Sequence, residues 1–570
     1  MTGNKFNGIT RFLKGKRNFC AVLLTMIFLL TTSIAVYAEQ VATPTADPPA
    51  GTYGGTQVSI FENVLFAGGD GSVDNPYQVA TAEQLNNVRY HLDKHFIQTA
   101  NIDLNAAPYN TDLGWEPIGI YGSPFNGTLD GNGKTISNLT INRSTTDYVG
   151  MFGIAGQYAK IQNVKLENTN ITGKQYTGGL VGTNAGSITN SCATGAVTGS
   201  EYVGGLVGYN LVGDITNSYA TGAVSGGTWV GGLVGYNDWA TISGSYTTGA
   251  VTGTTYVGGL AGKNIQGSIT NSYATSAVTG TDNYVGGLVG YNQENSQITS
   301  SYAIGIVDGR QCTGGLVGEN KATITNSYAT GDVTGSGGVA GLAGSNSGTI
   351  ANSYARGAAT GTQDQIGGLV GYNDGGTITN SYARGAATGT QDHVGGLVGW
   401  NNEGRIYHAY ATGVVTGRRW VGGLVGRNDS GTITYSYWDK DTSGRDTSAV
   451  GEGKTTEEMK QQVTFANWDF NTIWNIDGST NDGYPFLTIF AGGSGTKEDP
   501  YLVATAEQLN NVRYRLNMHF KQTANIDLNV APYNTGAGWE PIGIYGSPFS
   551  GTFDGNGKTI SNLTINRSAN

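Results

Sequence analysis

The chain contains little cysteine, little proline and little charge for its length. Only three of its 570 residues are cysteine, which excludes a framework of several disulfide bonds. Its 12 prolines exclude collagen, which needs abundant proline beside a glycine at every third position. Hydrophobic residues make up 38% and charged residues 13% of the chain, a balance that excludes a disordered polymer. An ordered, turn-rich β structure remains, and its 92 glycines indicate tight corners.

Long apolar runs are also scarce, and the one candidate lies at the amino terminus. Basic residues precede an apolar core at 20–30 and a small-residue site at 36–38, which predicts a secretory signal peptide over residues 1–38. The alternative is an uncleaved anchor, for which the run is short. After signal removal no membrane span is predicted, and residues 39–62 form a linker rich in Pro, Thr and Gly.

Basic residues are fewer than acidic ones in this chain. Cleavage of the signal would leave 26 of the 31 basic residues against 41 acidic ones, a net charge of −15. Such a surface repels phosphate backbones, so nucleic acid is not an expected partner.

One short stretch is repeated ten times. Residues 202–210 read Tyr-Val-Gly-Gly-Leu-Val-Gly-Tyr-Asn, and the copies recur every 26 to 28 residues. Self-similarity at so narrow a period indicates one supersecondary unit stacked on copies of itself. The leucines that mark the copies are Leu180, Leu206, Leu233, Leu260, Leu288, Leu316, Leu342, Leu369, Leu397 and Leu424.

A period near 27 predicts an all-β fold, a parallel β-helix (β-solenoid) with about 27 residues, three short strands and three corners per coil, and short capping helices. Whether Leu206 or Val207 faces inward stays open, because a bulge at the adjacent glycines would reverse the alternation. Cys192 and Cys312 are five coils apart, about 24 Å at ~4.8 Å per coil, which is too far for a disulfide.

Equivalent positions of the copies form columns, and the asparagine column is unbroken. Stacked amides at a corner can bond to one another along the axis, so we predict a structural asparagine ladder. Its members are Asn184, Asn210, Asn237, Asn264, Asn292, Asn320, Asn346, Asn373, Asn401 and Asn428.

The sequence divides into further blocks around the array. Residues 63–147 are predicted to start the β-helix and to carry a capping helix after Thr81, and residues 148–437 form the array. Residues 438–489, rich in aromatics, are expected to cover its last rung. The segment 490–570 repeats the starter block, with 64 of the 79 positions from 490 to 568 identical. Because no array follows this second copy, we expect it to be truncated.

The repeated Gly-Gly-Leu-Val-Gly resembles the GLUG motif, a repeat of bacterial secreted and surface proteins. These include adhesin-like proteins and the non-catalytic regions of some immunoglobulin A proteases. The resemblance covers about residues 148–437 and implies a surface-exposed β-solenoid of a Gram-positive bacterium. It implies no substrate.

Few residues are arranged for catalysis or for a cofactor. The His-Glu-x-x-His helix of zinc proteases is absent from the sequence. Asp439, Asp441 and Ser443 begin like an EF-hand calcium loop, but Val450 stands where a bidentate Glu belongs, so a capped turn is favoured. Asp364 and Asp392 share a column within two near-duplicate repeats, which duplication explains better than catalysis. No cofactor is expected.

Two aromatic columns flank the repeated motif. Exposed rings can stack on sugars, while stacking between neighbouring coils is the structural alternative and is favoured. The candidate glycan-stacking residues are Tyr202, Trp229, Tyr256, Tyr284 and Trp420 in one column and Tyr209, Tyr236, Tyr291, Tyr372 and Trp400 in the other.

These patterns predict a non-catalytic β-solenoid, secreted or held at the cell surface, with a structural or adhesive role. Its expected partners are cell-wall or extracellular glycans, or host surface proteins. The alternative is a carbohydrate-active β-helix enzyme, either a polysaccharide lyase or a hydrolase, which would need clustered acids in a groove.

Overall fold

The computed structural model describes residues 65–567 except 479, 489, 491, 530–532 and 535. The predicted signal peptide (1–38) and linker (39–62) lie outside the described residues. The described chain is a parallel β-solenoid of about 11 turns with roughly 27 residues per coil, which confirms the predicted fold class. No described helix is long and apolar enough to cross a membrane.

Most coils of the array carry five short strands on three faces, and a few carry four. In one coil, Glu201–Gly204 lies on the first face, Val207–Leu211 on the second, and Asp214–Thr216, Tyr219–Ala220 and Val224–Ser225 on the third. Every strand pairs in parallel with its counterpart in the next coil. The predicted count of three strands was therefore wrong, because turns divide the third face into three segments.

The first two faces are ladders of ten and eleven strands. The first comprises Gln175–Gly178, Glu201–Gly204, Thr228–Gly231, Thr255–Gly258, Val285–Gly286, Gln311–Gly314, Gly337–Ala340, Ile366–Gly367, Asp392–Gly395 and Arg419–Gly422. The second comprises Phe152–Ala155, Val181–Asn184, Val207–Leu211, Val234–Asp238, Ala261–Ile265, Val289–Asn292, Val317–Asn320, Ala343–Asn346, Val370–Asp374, Val398–Asn402 and Val425–Asp429.

The third face begins in the starter block and continues through the array. Its leading strands are Tyr77–Val79, His95–Gln98, Thr128–Asp130, Lys160–Gln162, Ser187–Thr189, Asp214–Thr216, Thr241–Ser243, Ser268–Thr270, Gln297–Thr299, Thr323–Thr325, Thr349–Ala351, Thr377–Ala383, Arg405–Ala411 and Thr432–Thr434. The strands that follow them are Ile102–Asp103, Thr135–Ser137, Thr140–Asn142, Lys165–Thr172, Cys192–Thr198, Tyr219–Ala220, Val224–Ser225, Tyr246–Thr247, Val251–Gly253, Tyr273–Ala274, Val278–Gly280, Tyr302–Ala303, Val307–Asp308, Tyr328–Ala329, Val333–Gly335, Tyr354–Ala355, Ala359–Gly361, Ala387–Gly389, Val415–Thr416, Tyr437–Asp439 and Glu452–Lys454.

Both apolar residues of the motif face the core. Leu206 and Val207 are 0% exposed, and their counterparts in the other coils are buried likewise. Both can face inward because they lie at a corner: the strand Glu201–Gly204 ends before it and Val207–Leu211 begins after it. Neither alternative for the inward residue was therefore right by itself. The chain bulges earlier, at the aromatic residue before the glycines, since Glu201 and Val203 pair with the next coil while Tyr202 between them does not.

The starter block covers one end of this core with a short helix. Ala82–Asn87 is α-helical and continues as a 3-10 turn, Val88–Tyr90. The Thr81 side chain caps the helix by accepting a hydrogen bond from the amide of Gln84 at 3.2 Å. Leu85 and Val88 are buried in the same core as the array.

The segment after the array folds partly over the last coil and partly along the side of the array. Trp438 ends the core, whereas Phe465, Trp468 and Trp474 pack against tyrosines of the third face. The expectation that these aromatics cover the last rung was therefore wrong for most of them. The segment contains the helices Lys440–Ser443 and Thr456–Met459, the 3-10 turns Gln462–Thr464 and Asn481–Gly483, and the antiparallel strands Trp474–Asn475 and Phe486–Leu487.

The second starter block has a small core of its own and lies against the same side of the array. Tyr354 donates to a carboxylate oxygen of Glu507 at 2.9 Å, and Gln508 donates to the Ser300 hydroxyl at 3.3 Å. Its elements are the strands Tyr501–Val503, His519–Gln522, Ile526–Asp527, Thr552–Asp554 and Ile560–Ser561, the helix Ala506–Asn511 and the 3-10 turn Val512–Tyr514.

Candidate functional site

The asparagine column is a continuous chain of hydrogen bonds inside the solenoid. Asn210 donates to Asn237 Oδ1 at 2.9 Å, and Asn237 donates to Asn264 Oδ1 at 2.8 Å. The same amide of Asn237 also donates to the carbonyl of Ala240 at its own corner. The chain of side-chain bonds runs from Asn184 to Asn428. These amides are used within the fold and are not available to a ligand.

The aromatic residues at the first-face bulge form a second ladder, which we call the aromatic ladder: Tyr148, Tyr176, Tyr202, Trp229, Tyr256 and Tyr284. Successive ring centroids are 4.5 to 6.2 Å apart and the rings are stacked. Each residue has a positive φ, between 53° and 65°, which is uncommon for aromatic side chains and costs on the order of 1 kcal/mol per residue. Stacking along the axis offsets that cost.

A second aromatic row packs edge-on against the first. Tyr209 and Tyr236 contact Tyr202 at centroid distances of 5.8 and 5.6 Å, and Tyr291 contacts Tyr284 at 5.6 Å. The Lys263 ammonium lies over the rings of Tyr236 and Tyr291. The structure thus brings seven of the ten predicted stacking residues together in one layer.

The faces of most of these rings are covered by neighbouring rings. Tyr202 and Trp229 each have stacked partners on both sides, so a sugar cannot lie flat on either ring. The other three candidates lie farther along the axis: Tyr372 contacts Trp400 at 5.1 Å, and Trp420 is 57% exposed. Within the ladder, the geometry favours the structural interpretation of the aromatic columns.

The aromatic ladder is interrupted for three coils, at Cys312, Gly338 and Gln365. We call this interruption the ladder gap. One face of Tyr284 is stacked on Tyr256, and its other face borders the gap. His393 stands in the column at the far end, four coil steps or about 19 Å away at ~4.8 Å per coil.

A shallow groove of about 710 Å³ opens over the ladder gap. Its floor and rim are polar and rich in side-chain amides, including Gln311, Gln363 and Gln391. The carboxylate of Asp364 lies on its rim, 3.9 Å from His393 Nδ1. His393 is 9% exposed, and its Nδ1 has no hydrogen-bond partner. Burial lowers the pKa of His393, so its ring is neutral at physiological pH.

The two acids considered for catalysis have other contacts. Asp392 binds the guanidinium groups of Arg419 at 2.6 Å and Arg418 at 3.3 Å, and the Arg419 hydrogen bond holds the pKa of Asp392 below its ordinary value. Asp364 accepts a hydrogen bond from the Asp392 amide at 3.0 Å. Asp392 is thus already neutralised by protein cations.

The calcium candidate is a capped turn whose oxygens already have protein partners. Asp439 accepts hydrogen bonds from the Thr442 amide at 3.0 Å, the Thr456 hydroxyl at 2.8 Å and the Tyr484 hydroxyl at 2.6 Å. Asp441 accepts from the Thr456 amide at 2.8 Å, and Ser443 is buried. In the described part of the chain, no three His, Cys, Asp or Glu residues are grouped to hold a metal ion.

The stacked tyrosines predict a marked alkaline transition. Burial raises the pKa of Tyr202 and of Tyr236 to about 12, and it raises the pKa of Tyr302 and Tyr328 further. Because the unfolded value is about 10, stability should be complete below pH ~10 and fall as the pH rises through the folded values. We expect most tyrosines of the native chain to stay un-ionised at pH ~11 in an ultraviolet titration. Titration of all native tyrosines near pH ~10, as in denaturant, would contradict the buried ladders.

The fold and the repeated corner place the chain among parallel β-solenoids built from short glycine-rich coils. The model of the GLUG motif matches six segments, at 199–225, 253–279, 281–308, 309–334, 363–388 and 391–416. The chain therefore carries GLUG repeats, and the resemblance seen in the sequence is confirmed.

Two curated proteins are similar over part of the chain. A protein of Evansella cellulosilytica, provisionally named a Gly-rich membrane protein, is 39% identical over 134 residues, and halomucin of Haloquadratum walsbyi is 40% identical over 137 residues. Each match covers 23% of this chain but only 16% and 2%, respectively, of the two relatives. The chain thus spans a small fraction of the length of the curated relatives it matches.

A solved structure is also similar, from a Bacteroides ovatus protein provisionally described as an immunoglobulin A1 protease. It is 20% identical, and the match covers 74% of this chain and 95% of the other. The TM-score of 0.33 is too low for any argument about fold or activity.

Proposed function

We propose that the protein is a non-catalytic β-solenoid, exposed outside the cell or on its surface, that adheres to neutral glycans at the ladder gap. The observation that carries the proposal is the gap itself: three coils without rings, lined by amide side chains, between Tyr284 and the pair of His393 and Trp400. Amides satisfy sugar hydroxyls, and the face of Tyr284 that is not stacked on Tyr256 can pack against a sugar ring.

The names of the two relatives support a location outside the cell or on its surface. One is named a membrane protein and the other a halomucin, and the acidic balance of 41 acidic to 31 basic residues suits a solvated exterior surface. A carbohydrate-active enzyme would need free acids in the groove, whereas Asp392 is bound by two arginines and Asp364 lies on the open rim. We therefore favour adhesion over cleavage.

The proposal predicts that filling the ladder gap abolishes binding without harming the fold. A Tyr at position 338 would take the backbone conformation of Tyr284, because Gly338 has φ 59° and a Cβ there would meet nothing nearer than 3.4 Å. We expect the triple variant Cys312→Tyr, Gly338→Tyr and Gln365→Tyr to lose glycan affinity at least roughly tenfold. Its stability should rise, since each added ring pair contributes about 0.5–1.5 kcal/mol.

The measurement is a glycan array with the full chain, followed by calorimetric titration of the glycans that bind. The matched control is Asn295→Tyr, which adds an exposed ring at another left-handed corner, where φ is 63°. Equal binding by the triple variant and the control would remove the gap as the site. New reducing or unsaturated ends in a parallel polysaccharide assay would contradict the non-catalytic role.

A further inference from the structure

A cavity of about 650 Å³ lies where three segments of the sequence meet. The third face of the array contributes Tyr354 and Arg356, the segment after the array contributes Asn481, and the second starter block contributes Glu507 and Tyr533. The cavity is separate from the ladder gap, and its volume lies in the range of ordinary ligand pockets.

Arginines give this cavity its chemistry. Arg356 and Arg384 occupy the same position in neighbouring, nearly identical coils, where the coils on either side have Thr330 and Thr412. Arg384 is ion-paired with Asp482 at 2.5 Å and bonded to Asn481 at 2.7 Å. These contacts fix Arg384 within the structure.

Arg356 has no such partner. Its guanidinium stacks over Tyr354 at 5.0 Å, and its hydrogen bond to the hydroxyl of Tyr382 is long at 3.5 Å. Within residues 65–567, apart from the gaps given above, no carboxylate lies within 4.0 Å of it. The Arg356 side chain is solvent-exposed, so its remaining donors are open to a ligand that enters the cavity.

The one acid of the cavity that is not ion-paired is Glu507, which accepts a hydrogen bond from Tyr354. Burial raises the pKa of Glu507, which favours its uncharged form. The remaining acids are paired, Asp482 with Arg384 and Glu540 with Arg513 at 2.8 Å. The cavity therefore has an excess of positive charge.

We propose that this cavity binds a carboxylated sugar unit, with the planar fork of Arg356 receiving the carboxylate. A guanidinium matches a carboxylate in two parallel hydrogen bonds. The ring of Tyr533 and the edges of Tyr328 and Tyr354 give apolar surface for a sugar ring, and the Asn510 amide lies where a hydroxyl would be bonded. An inorganic anion would leave most of this volume and lining unused.

The test uses the full chain and two matched probes, a galacturonate trisaccharide and its carboxyl-reduced neutral counterpart, in calorimetric titrations. We expect the acidic probe to bind at least tenfold more tightly than the neutral one. Arg356→Thr, which installs the residue of the neighbouring coils, should weaken binding of the acidic probe about tenfold to a hundredfold, the value of a charge-assisted pair. Arg356→Lys keeps the charge without the fork and should give an intermediate loss.

Arg405→Gln is the control, since it removes an arginine from the exposed side of the strand Arg405–Ala411. It should leave the affinity unchanged. Equal affinity for both probes, or competition by sulfate with no binding of the acidic trisaccharide, would overturn the proposal. The triple variant that fills the ladder gap tests neutral-glycan binding there, and it leaves the cavity around Arg356 unchanged. Failure of one proposal can therefore be distinguished from failure of the other.

Discussion

Replacing Gly231 with alanine is expected to destabilise the array by about 4 kcal/mol or more, one of the two largest effects that we predict for a single substitution. A Cβ at Gly231 would lie 2.0 Å from the carbonyl oxygen of Val234 and 2.7 Å from the amide nitrogen of Gly262. Both contacts are with backbone atoms, the first within the same coil and the second in the next coil, so relief requires moving the backbone at the corner and between coils. Chemical denaturation followed by circular dichroism measures the loss.

Gly375→Ala is the matched control. Gly375 also has a restrictive conformation, with φ 68°, but a Cβ there would meet nothing within 4 Å. Val212 and Trp239 occupy the same corner of other coils with φ 55° and 53°. We expect a cost of about 1 kcal/mol, that of the backbone conformation alone. Similar losses in the two variants would show that backbone crowding is not what requires the motif glycine.

The second large effect is expected from Asn237→Ala. This residue is 0% exposed, accepts from Asn210, and donates to Asn264 and to the Ala240 carbonyl. Its removal leaves three buried polar groups short of a partner, each costing about 1–3 kcal/mol, so we expect a loss of about 3–5 kcal/mol.

Hydrogen exchange of the flanking coils and chemical denaturation both report this loss. Asn237→Asp keeps the volume but removes both donors, and it should also destabilise the array. Asn402→Ala, which removes an exposed amide bonded to Asp374, should cost only about 0.5 kcal/mol. A small effect of Asn237→Ala would mean that water replaces the ladder, contrary to its burial.

The period and the asparagine and leucine columns were sufficient to predict the solenoid, because parallel stacking places equal residues over one another. The bulge at Tyr202 could not be predicted, since positive φ favours glycine and asparagine over aromatic residues. It is stabilised by rings in adjacent coils, a contact invisible in any one repeat.

The candidate sites could be predicted only in part from the sequence. The sequence shows Cys312, Gly338 and Gln365 interrupting an aromatic column. Only the structure shows that the other rings of the column cover one another, which makes this interruption the candidate site. Arg356 breaks a threonine column, but its cavity exists only because Asn481 and Glu507 arrive from distant segments. Such packing depends on contacts between distant segments, which the repeat period of the sequence does not reveal.

The coils keep one register although their lengths differ. Four residues separate the strand Val278–Gly280 from Val285–Gly286, where two separate Val224–Ser225 from Thr228–Gly231, so the difference is absorbed in a surface turn. Unequal recombination between two repeats of the gene would therefore join compatible coils wherever it occurred. The rod can grow or shrink in evolution by whole steps of about 4.8 Å while every internal ladder remains continuous. The nearly identical coils around Arg356 and Arg384 fit one such recent event.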